Sequence, residues 1–359
     1  MNSIDLRVSA APELPVGGRP ITEAMQVRWS WWRSRRDRAR LHTRPLLVPD
    51  ARGALRLPGI GVEPFLVEAP DPYGRPCGVV LVEDTGHVSV SLALSPSSET
   101  PESETPELGG RAWAEDLGAW LALLDSEPEV VASAVVLIQD DDPTHGLRVV
   151  VQVTQRSAEF AVDGDRAAAV VEAVARVPRL VQGLDHAAVG TARPAPAAAL
   201  ATLVHDAYVG DPADAVETWD RLRHGGAVSQ TWSLTRLPPA AVLSGLPALL
   251  TAVPPDVART RVTLLARPCA GGASGAPDLT ALVTVTAGTG DEPGTTVLPP
   301  VTAILDGLPD GLRPWLRPCY GSQAAGFAAG LPTGVLLGEH RAPPTLLAGS
   351  DPTSDRRGR

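Results

Sequence analysis

A block of tryptophan and arginine residues near the N-terminus offers the most chemistry in this sequence. Residues 28–44 contain three Trp and seven Arg against a single Asp. Indole rings favour the headgroup region of a bilayer, and guanidinium groups pair with lipid phosphates. The block therefore predicts docking to an anionic membrane surface or to a partner protein, through Arg28, Trp29, Trp31, Trp32, Arg33, Arg35, Arg36, Arg38 and Arg40.

Two other interpretations of this Arg/Trp block stay open. Nucleic acid offers the same phosphate groups, and its bases stack on Trp rings. Alternatively, the block is a solvated basic helix whose Trp side chains pack on the body of the protein. The chain has a net charge of −10, of which residues 28–44 contribute +6, so the rest carries −16. An acidic body of this kind disfavours nucleic acid as a partner.

Metal-ligating residue types occur in two places. Asp140–Asp142 and His145 combine carboxylates with an imidazole, but a carboxylate run on a turn between strands is usually only solvated. Cys77, Cys269 and Cys319 each close an Arg-Pro-Cys tripeptide, and their spacing matches no usual zinc motif. We therefore expect neither a bound metal nor a cofactor.

The chain contains no lysine, because all 31 of its basic residues are Arg. A Walker A phosphate site, a Schiff base and a Ser-x-x-Lys nucleophile all require lysine. The segment Trp219–His224 combines aromatic, acidic and basic groups, and Asp220 with Arg223 or His224 would form a local ion pair. Since neither a nucleophile nor a substrate pocket is recognisable beside it, we expect a structural loop there and no enzyme activity.

Hydrophobic periodicity divides the body of the chain into two similar runs of elements. Residues 87–94 alternate like a half-buried strand, and the apolar residues between 113 and 124 fall at helical spacing. Two strands follow at 130–138 and 147–154, and then another helix. The same order of strand, helix, strand, strand and helix returns between 227 and 308.

This repeated order is typical of a split βαβ arrangement. We predict an α+β fold made of a tandem pair of ferredoxin-like modules, with antiparallel or mixed sheets and helices on one face. The modules are expected at 46–190 and 191–340, between a flexible arm at 1–45 and a disordered tail at 341–359. In the second module, Pro247 predicts a break in the helix that contains it.

Four segments of the chain carry a family resemblance, at residues 71–76, 120–133, 219–232 and 320–332. In this order and spacing they resemble the EccE-like component family of actinobacterial conjugation-type and type VII secretion systems, in a form that lacks the usual N-terminal transmembrane helices. The third and fourth segments are the more specific ones. The residues that we take as structural motifs are Tyr73, Gly74, Arg75, Pro76, Trp219, Arg223, His224, Trp232, Tyr320, Gly321, Ser322 and Gln323.

The resemblance implies a non-enzymatic structural or scaffold subunit of an actinobacterial secretion or conjugation apparatus. Its partners would be other subunits of the apparatus, the associated ATPase among them, and an anionic membrane surface. Its location would be cytoplasmic and peripheral, at the inner face of the cell membrane. The alternative function is a nucleic-acid-handling factor of a conjugative element. The resemblance implies no catalytic residue, no cofactor and no metal.

Overall fold

Thirteen strands of the described chain form one antiparallel sheet. The computed structural model describes residues 25, 28–29, 41–43, 45–95, 111–125, 127–140, 147–157, 160, 165–187, 189–209, 214–234, 239–251, 259–268, 278–288, 313 and 316–340. The strands are β1 (Leu41–Thr43), β2 (Phe65–Pro70), β3 (Pro76–Val82), β4 (His87–Ser95), β5 (Val130–Gln139), β6 (Leu147–Arg156), β7 (Thr191–Pro194), β8 (Asp214–Glu217), β9 (Leu222–His224), β10 (Ala227–Leu234), β11 (Arg259–Arg267), β12 (Asp278–Gly288) and β13 (Leu316–Pro318).

The order of strands across the sheet is β1-β8-β9-β10-β12-β11-β5-β6-β4-β3-β2, while β7 pairs with β4 and β13 pairs with β10. The helices are α1 (Arg111–Asp125), α2 (Arg166–Ala175), α3 (Val177–His186), α4 (Ala197–Ala207), α5 (Pro239–Ser244), α6 (Leu246–Thr251), α7 (Gln323–Ala329) and α8 (Leu337–His340).

Each half of the sheet contains the same local arrangement. Helix α1 connects β4 to β5, and β6 lies between these two strands and antiparallel to both. In the second half α5 and α6 connect β10 to β11, with β12 between them. The break predicted at Pro247 is confirmed, because α5 ends at Ser244 and α6 begins at Leu246. The last helix of the second predicted run, before residue 308, lies outside the described residues.

The two halves are joined by the pairing of β5 with β11, which runs from Thr260 opposite Gln139 to Ala266 opposite Ser133. Both strands bury side chains on both faces, and a strand of that kind at a sheet edge would expose apolar surface and unpaired backbone groups. The predicted tandem pair of ferredoxin-like modules is therefore wrong. The strands that would have been module edges pair with each other, and a single sheet results.

The helices lie on both faces of this sheet and not on one, as the sequence had predicted. Alternate residues of β4 such as Val88 and Val90 pack with α1, α2, α3, α5 and α6 on what we call the α1 face. On the opposite side, which we call the α7 face, Val136 and Val150 pack with α4 and α7. Each face therefore has its own hydrophobic core. The predicted module boundaries at residues 46, 190 and 340 stay predictions.

The α7 face also carries buried polar groups, and residues 322–340 supply their hydrogen-bond partners. The side-chain Oε1 of Gln323 accepts a hydrogen bond from the Thr231 backbone N–H at 2.7 Å. Farther along, the backbone N–H of Gly334 donates to Oε1 of Gln152 at 2.8 Å. Because Gln323 and Gln152 are almost completely buried, these contacts replace the water that the same groups would bind if the face were open.

Substitution of Gln323 by Ala is expected to lower the free energy of unfolding by about 1–3 kcal/mol, because the buried Thr231 N–H loses its partner. Urea denaturation measures the loss. Gln182→Ala is the control, since this exposed glutamine of α3 should change stability by less than about 0.5 kcal/mol. Equal losses in the two variants would contradict the role given to Gln323.

Candidate ligand-binding cavity

A cavity of about 600 Å³ opens on the α1 face, between the C-terminal half of α1, helix α3 and strands β5 and β6. Its volume lies within the range of about 300–1,000 Å³ that is usual for small-molecule sites. Its lining residues are Trp120, Leu123, Leu124, Glu127, Glu129, Val130, Val153, Gln155, Arg176, Arg179, Leu180, Gln182, Gly183 and His186.

The local sequence explains why space is left at this place. Helix α1 is amphipathic and turns Trp120 and Leu124 towards the sheet, where both are buried. Helix α3 crosses nearby and presents Gly183 to the indole, so no side chain fills the gap. A Cβ atom added at Gly183 would lie 3.3 Å from Nε1 of Trp120. A larger side chain at position 183 would therefore occupy the cavity.

The indole N–H of Trp120 is the most informative group in the wall. Trp120 is 2% exposed, and its N–H makes no hydrogen bond in the part of the chain that the structure describes, but this nitrogen is open to the cavity and is not enclosed by protein. On the same helix, the indole N–H of Trp113 donates to the Val189 carbonyl at 2.7 Å. Buried Trp side chains usually find such a partner. The Trp120 N–H is therefore a donor that faces the cavity and lacks an acceptor.

Gln155 is a second buried polar group in this wall. It is 4% exposed, and its Nε2 has no hydrogen-bond partner within the described residues. An amide offers both donors and acceptors, and the positions of its O and N atoms exchange by rotation of the group. The cavity wall thus contains two polar side chains, Trp120 and Gln155, of which the Gln155 Nε2 is enclosed and without a partner among the described residues.

Charged residues surround the mouth of the cavity in oppositely charged pairs. Arg179 pairs with Glu127, and Arg176 pairs with Glu129. Such half-exposed pairs contribute only about 0–1 kcal/mol to stability and are screened by salt. Because two Arg face two Glu, the mouth carries no net charge apart from His186. The cavity therefore does not select an anion or a cation by charge alone.

The structure brings several of the sequence motifs together on the α7 face, away from this cavity. The rings of Trp219 and Tyr320 stack with centroids 5.4 Å apart and planes 5° from parallel. The backbone N–H of Gly321 donates to the Trp219 carbonyl at 2.8 Å. The third and fourth resemblance segments thus contact each other directly, and Gln323 extends this contact to β10.

His224 lies at the centre of a buried polar chain on the same face. Its Nδ1 is 3.0 Å from the Tyr208 carbonyl, and its Nε2 is 2.7 Å from the Ser229 hydroxyl, which also contacts Thr286 at 2.7 Å. A carbonyl only accepts, so Nδ1 carries the proton and Ser229 donates to Nε2. Burial lowers the pKa of His224 to about 4. Ser229 is 1% exposed, so this serine–histidine pair lies out of reach of any substrate.

The remaining motif residues have separate places. Trp232 is buried on the α1 face, and Arg223 is exposed on β9. Ser322 precedes α7, and its hydroxyl makes no capping hydrogen bond. The Tyr73–Pro76 segment forms a turn in which Asp71 accepts hydrogen bonds from the backbone N–H groups of Tyr73 and Arg75.

The other predicted sites are only partly covered by the structure. In the Arg/Trp block, Arg28 and Trp29 are exposed, while Trp31, Trp32, Arg33, Arg35, Arg36, Arg38 and Arg40 lie outside the described residues. The carboxylate of Asp140 forms ion pairs with Arg148 and Arg259. Cys77 and Cys319 are buried, and neither forms a disulfide within the described residues. Asp141, Asp142, His145 and Cys269 lie outside the described residues.

Comparison with known proteins gives a distant structural likeness only. No family model and no curated protein matches the chain. One similar structure is 6-hydroxy-D-nicotine oxidase from Arthrobacter nicotinovorans, 14% identical with a TM-score of 0.33, covering 69% of this chain and 49% of that one. Another is CrmK, a flavoenzyme involved in shunt product recycling in caerulomycin biosynthesis, 11% identical with a TM-score of 0.32, covering 81% of this chain and 65% of that one.

The first of these proteins is described as an oxidase and the second as a flavoenzyme, and neither is described as a secretion component. This finding overturns the expected function of a non-enzymatic scaffold in a secretion or conjugation apparatus, its nucleic-acid-handling alternative, and the expectation that the chain is not an enzyme. TM-scores this low assign no flavin, substrate or reaction to the present chain. Membership of the EccE-like family and the partners inferred from it stay predictions.

Replacement of Trp113 by Phe is expected to lower the free energy of unfolding by about 1–2 kcal/mol more than replacement of Trp120 by Phe. Both changes remove the same atoms from α1, but only the first leaves a carbonyl, that of Val189, without its donor. Urea denaturation of the two variants measures the difference. Equal losses would mean that the Trp120 N–H has a partner in the protein after all.

Proposed function

We propose that this chain binds a small, largely apolar molecule in the cavity between α1 and α3, and that the molecule accepts a hydrogen bond from the Trp120 indole. The observation that carries the proposal is an indole N–H that opens into a ligand-sized cavity and makes no hydrogen bond within the described residues. This donor faces the cavity, so a ligand acceptor would replace the water that can bind there.

The walls define the chemistry of the ligand. Leu124, Val130, Val153 and Leu180 offer apolar surface, and the flat indole of Trp120 favours a planar group. The ligand needs an acceptor, for which a carbonyl oxygen is suited, and the Gln155 amide provides a second polar contact. The paired charges at the mouth favour a neutral molecule. The ligand class is therefore a neutral, planar carbonyl compound with an apolar body.

The predicted position at the inner face of a membrane is a separate proposal. Within the described residues no helix is long and apolar enough to cross a bilayer. Peripheral attachment is supported only by the Arg/Trp block, of which Arg28 is exposed and Trp29 is 59% exposed. Peripheral attachment to a membrane and ligand binding in the cavity are independent proposals.

Two probes of similar shape separate the hydrogen bond from simple apolar binding. Acetophenone carries a carbonyl oxygen, and ethylbenzene lacks one. In NMR spectra of the ¹⁵N-labelled full chain, acetophenone is expected to shift the indole N–H resonance that disappears in Trp120→Phe. Ethylbenzene is expected to shift it much less, because it offers no acceptor. Equal shifts with both probes, or none with either, would refute the proposed hydrogen bond.

A variant that fills the cavity provides the second arm of this experiment. Gly183→Leu places a side chain beside the indole and is expected to weaken acetophenone binding at least about tenfold, because it occupies the space that the ligand needs. Ala122→Leu adds a similar volume to the exposed side of α1 and should leave binding unchanged. If Gly183→Leu bound acetophenone as tightly as the unmodified chain, the ligand site would lie elsewhere.

A further inference from the structure

A histidine at the start of β4 lies on the α7 face with neither of its ring nitrogens satisfied. His87 is 0% exposed, and neither Nδ1 nor Nε2 has a hydrogen-bond partner in the described part of the chain. A neutral imidazole always presents one donor and one acceptor, so both are buried here without compensation. Buried polar groups without a protein partner are rare, and a bound ion or ligand is one way in which proteins satisfy them.

Two further ligand-type side chains come to this histidine from the opposite end of the sequence. Helix α8 brings Glu339 and His340 over the start of β4. Nε2 of His87 is 3.8 Å from Oε2 of Glu339, and the rings of His87 and His340 have centroids 5.5 Å apart. One ligand atom from each of the three residues lies within 4.8 Å of the other two.

The separation of His87 from Glu339 fits an ion better than a hydrogen bond. A distance of 3.8 Å is too long for a hydrogen bond. Two ligands of a tetrahedral zinc ion, each about 2.0–2.1 Å from the metal, lie about 3.4 Å apart. Small side-chain movements would bring the three groups to that spacing. We propose that His87, Glu339 and His340 together bind a divalent transition-metal ion, with zinc as the best match.

The type of ligands supports zinc over other cations. Imidazole nitrogens suit zinc and its neighbours in the transition series, whereas calcium and magnesium prefer oxygen ligands throughout. Two His and one Glu form a three-ligand set, which in zinc proteins leaves a fourth position for water or another ligand. The site is on the α7 face, whereas Gln155 and the cavity are on the α1 face, so the two sites are independent.

Metal binding changes the hydrogen bonds of His340. In this structure its Nδ1 accepts the Leu336 backbone N–H at 3.0 Å, so its proton is on Nε2, which lies 3.1 Å from the Thr85 hydroxyl. An ion at Nε2 requires the proton to move to Nδ1, and the Leu336 N–H then loses its acceptor. The four-residue helix α8 must therefore adjust as the ion binds, so the metal couples the end of the described chain to β4.

Nearby charges limit the affinity without preventing binding. Arg267 lies 3.8 Å from the other carboxylate oxygen of Glu339, and Arg156 is the cross-strand partner of His87. Asp84, in the turn before β4, adds a negative charge close to His340. Two carboxylates thus balance two guanidinium groups around the three ligands, and the ion finds an environment that is neutral overall.

The proposal is tested by isothermal titration calorimetry. Metal is first removed from the full chain with a chelator, and zinc is then titrated into it. One zinc ion per chain is expected to bind and to raise the melting temperature. Glu339→Gln keeps the size of the side chain but removes the anionic ligand, and it should raise the dissociation constant at least about tenfold. Glu63→Gln is the matched control, since Glu63 is also a partly exposed acid beside an arginine, Arg56, and should bind zinc unchanged.

Two further results separate this site from binding by thiols elsewhere. Imidazole NMR is expected to show the proton of His340 on Nδ1 only when zinc is bound. Cys77→Ser and Cys319→Ser should leave the zinc affinity unchanged, because neither thiol belongs to the cluster. Absence of saturable zinc binding, or an unchanged affinity in Glu339→Gln, would overturn the proposal. Because Glu339 is partly exposed, its substitution tests the site without removing a core side chain.

Discussion

The pairing of β5 with β11 is the interaction on which the rest of this structure depends. It joins two similar halves through strands that bury side chains on both faces of the sheet. Val136 and Thr263, for example, lie opposite each other in this pairing and are both buried. Had either strand been an edge, its backbone groups would have faced water or another chain. With the two strands joined, the chain has one long sheet with two separate hydrophobic cores. The cavity belongs to one core and the histidine cluster lies beside the other.

The α7 face shows how a sheet buries polar side chains in its middle. Thr263 donates to the Gly330 carbonyl at 2.7 Å, and Arg261 donates to the Phe327 carbonyl at 2.9 Å. The Arg261 guanidinium also lies 4.4 Å from the centroid of the Phe327 ring. Burial lowers the pKa of Arg261 to about 10, so the group stays charged at neutral pH. The C-terminal segment is therefore a structural part of the sheet, and its small residues allow this close approach.

The sequence predicted the local elements better than their assembly. Alternation at residues 87–94 and helical spacing from Trp113 to Leu124 correspond to β4 and α1. The pairing that joins the halves could not be predicted from periodicity. A strand that is buried on both faces has a continuous apolar sequence whichever strand it pairs with. Nor does a pattern along the chain reveal which face a helix covers. Two modules with helices on one face were therefore predicted where one two-faced sheet exists.

Neither candidate site could be predicted from the sequence, for a related reason. Helical spacing predicts that Trp120 is a core residue, but its unpaired N–H becomes visible only beside Gly183 of another helix. His87 and His340 are separated by more than 250 positions and share no motif spacing. The absence of lysine excludes only the mechanisms that depend on lysine, so it could not exclude enzymes as a class. Nor does any pattern along the chain indicate that Trp219 stacks on Tyr320.

Hydrogen exchange resolved to single amides tests the single sheet most directly. The amides hydrogen-bonded across the junction of β5 and β11 are expected to exchange only through global unfolding, with the same free energy as protected amides in β4 and β10. The two halves would then behave as one cooperative unit. Exchange of the junction amides at a clearly lower free energy than those within each half would contradict the account, because it would show two modules that separate while each stays folded.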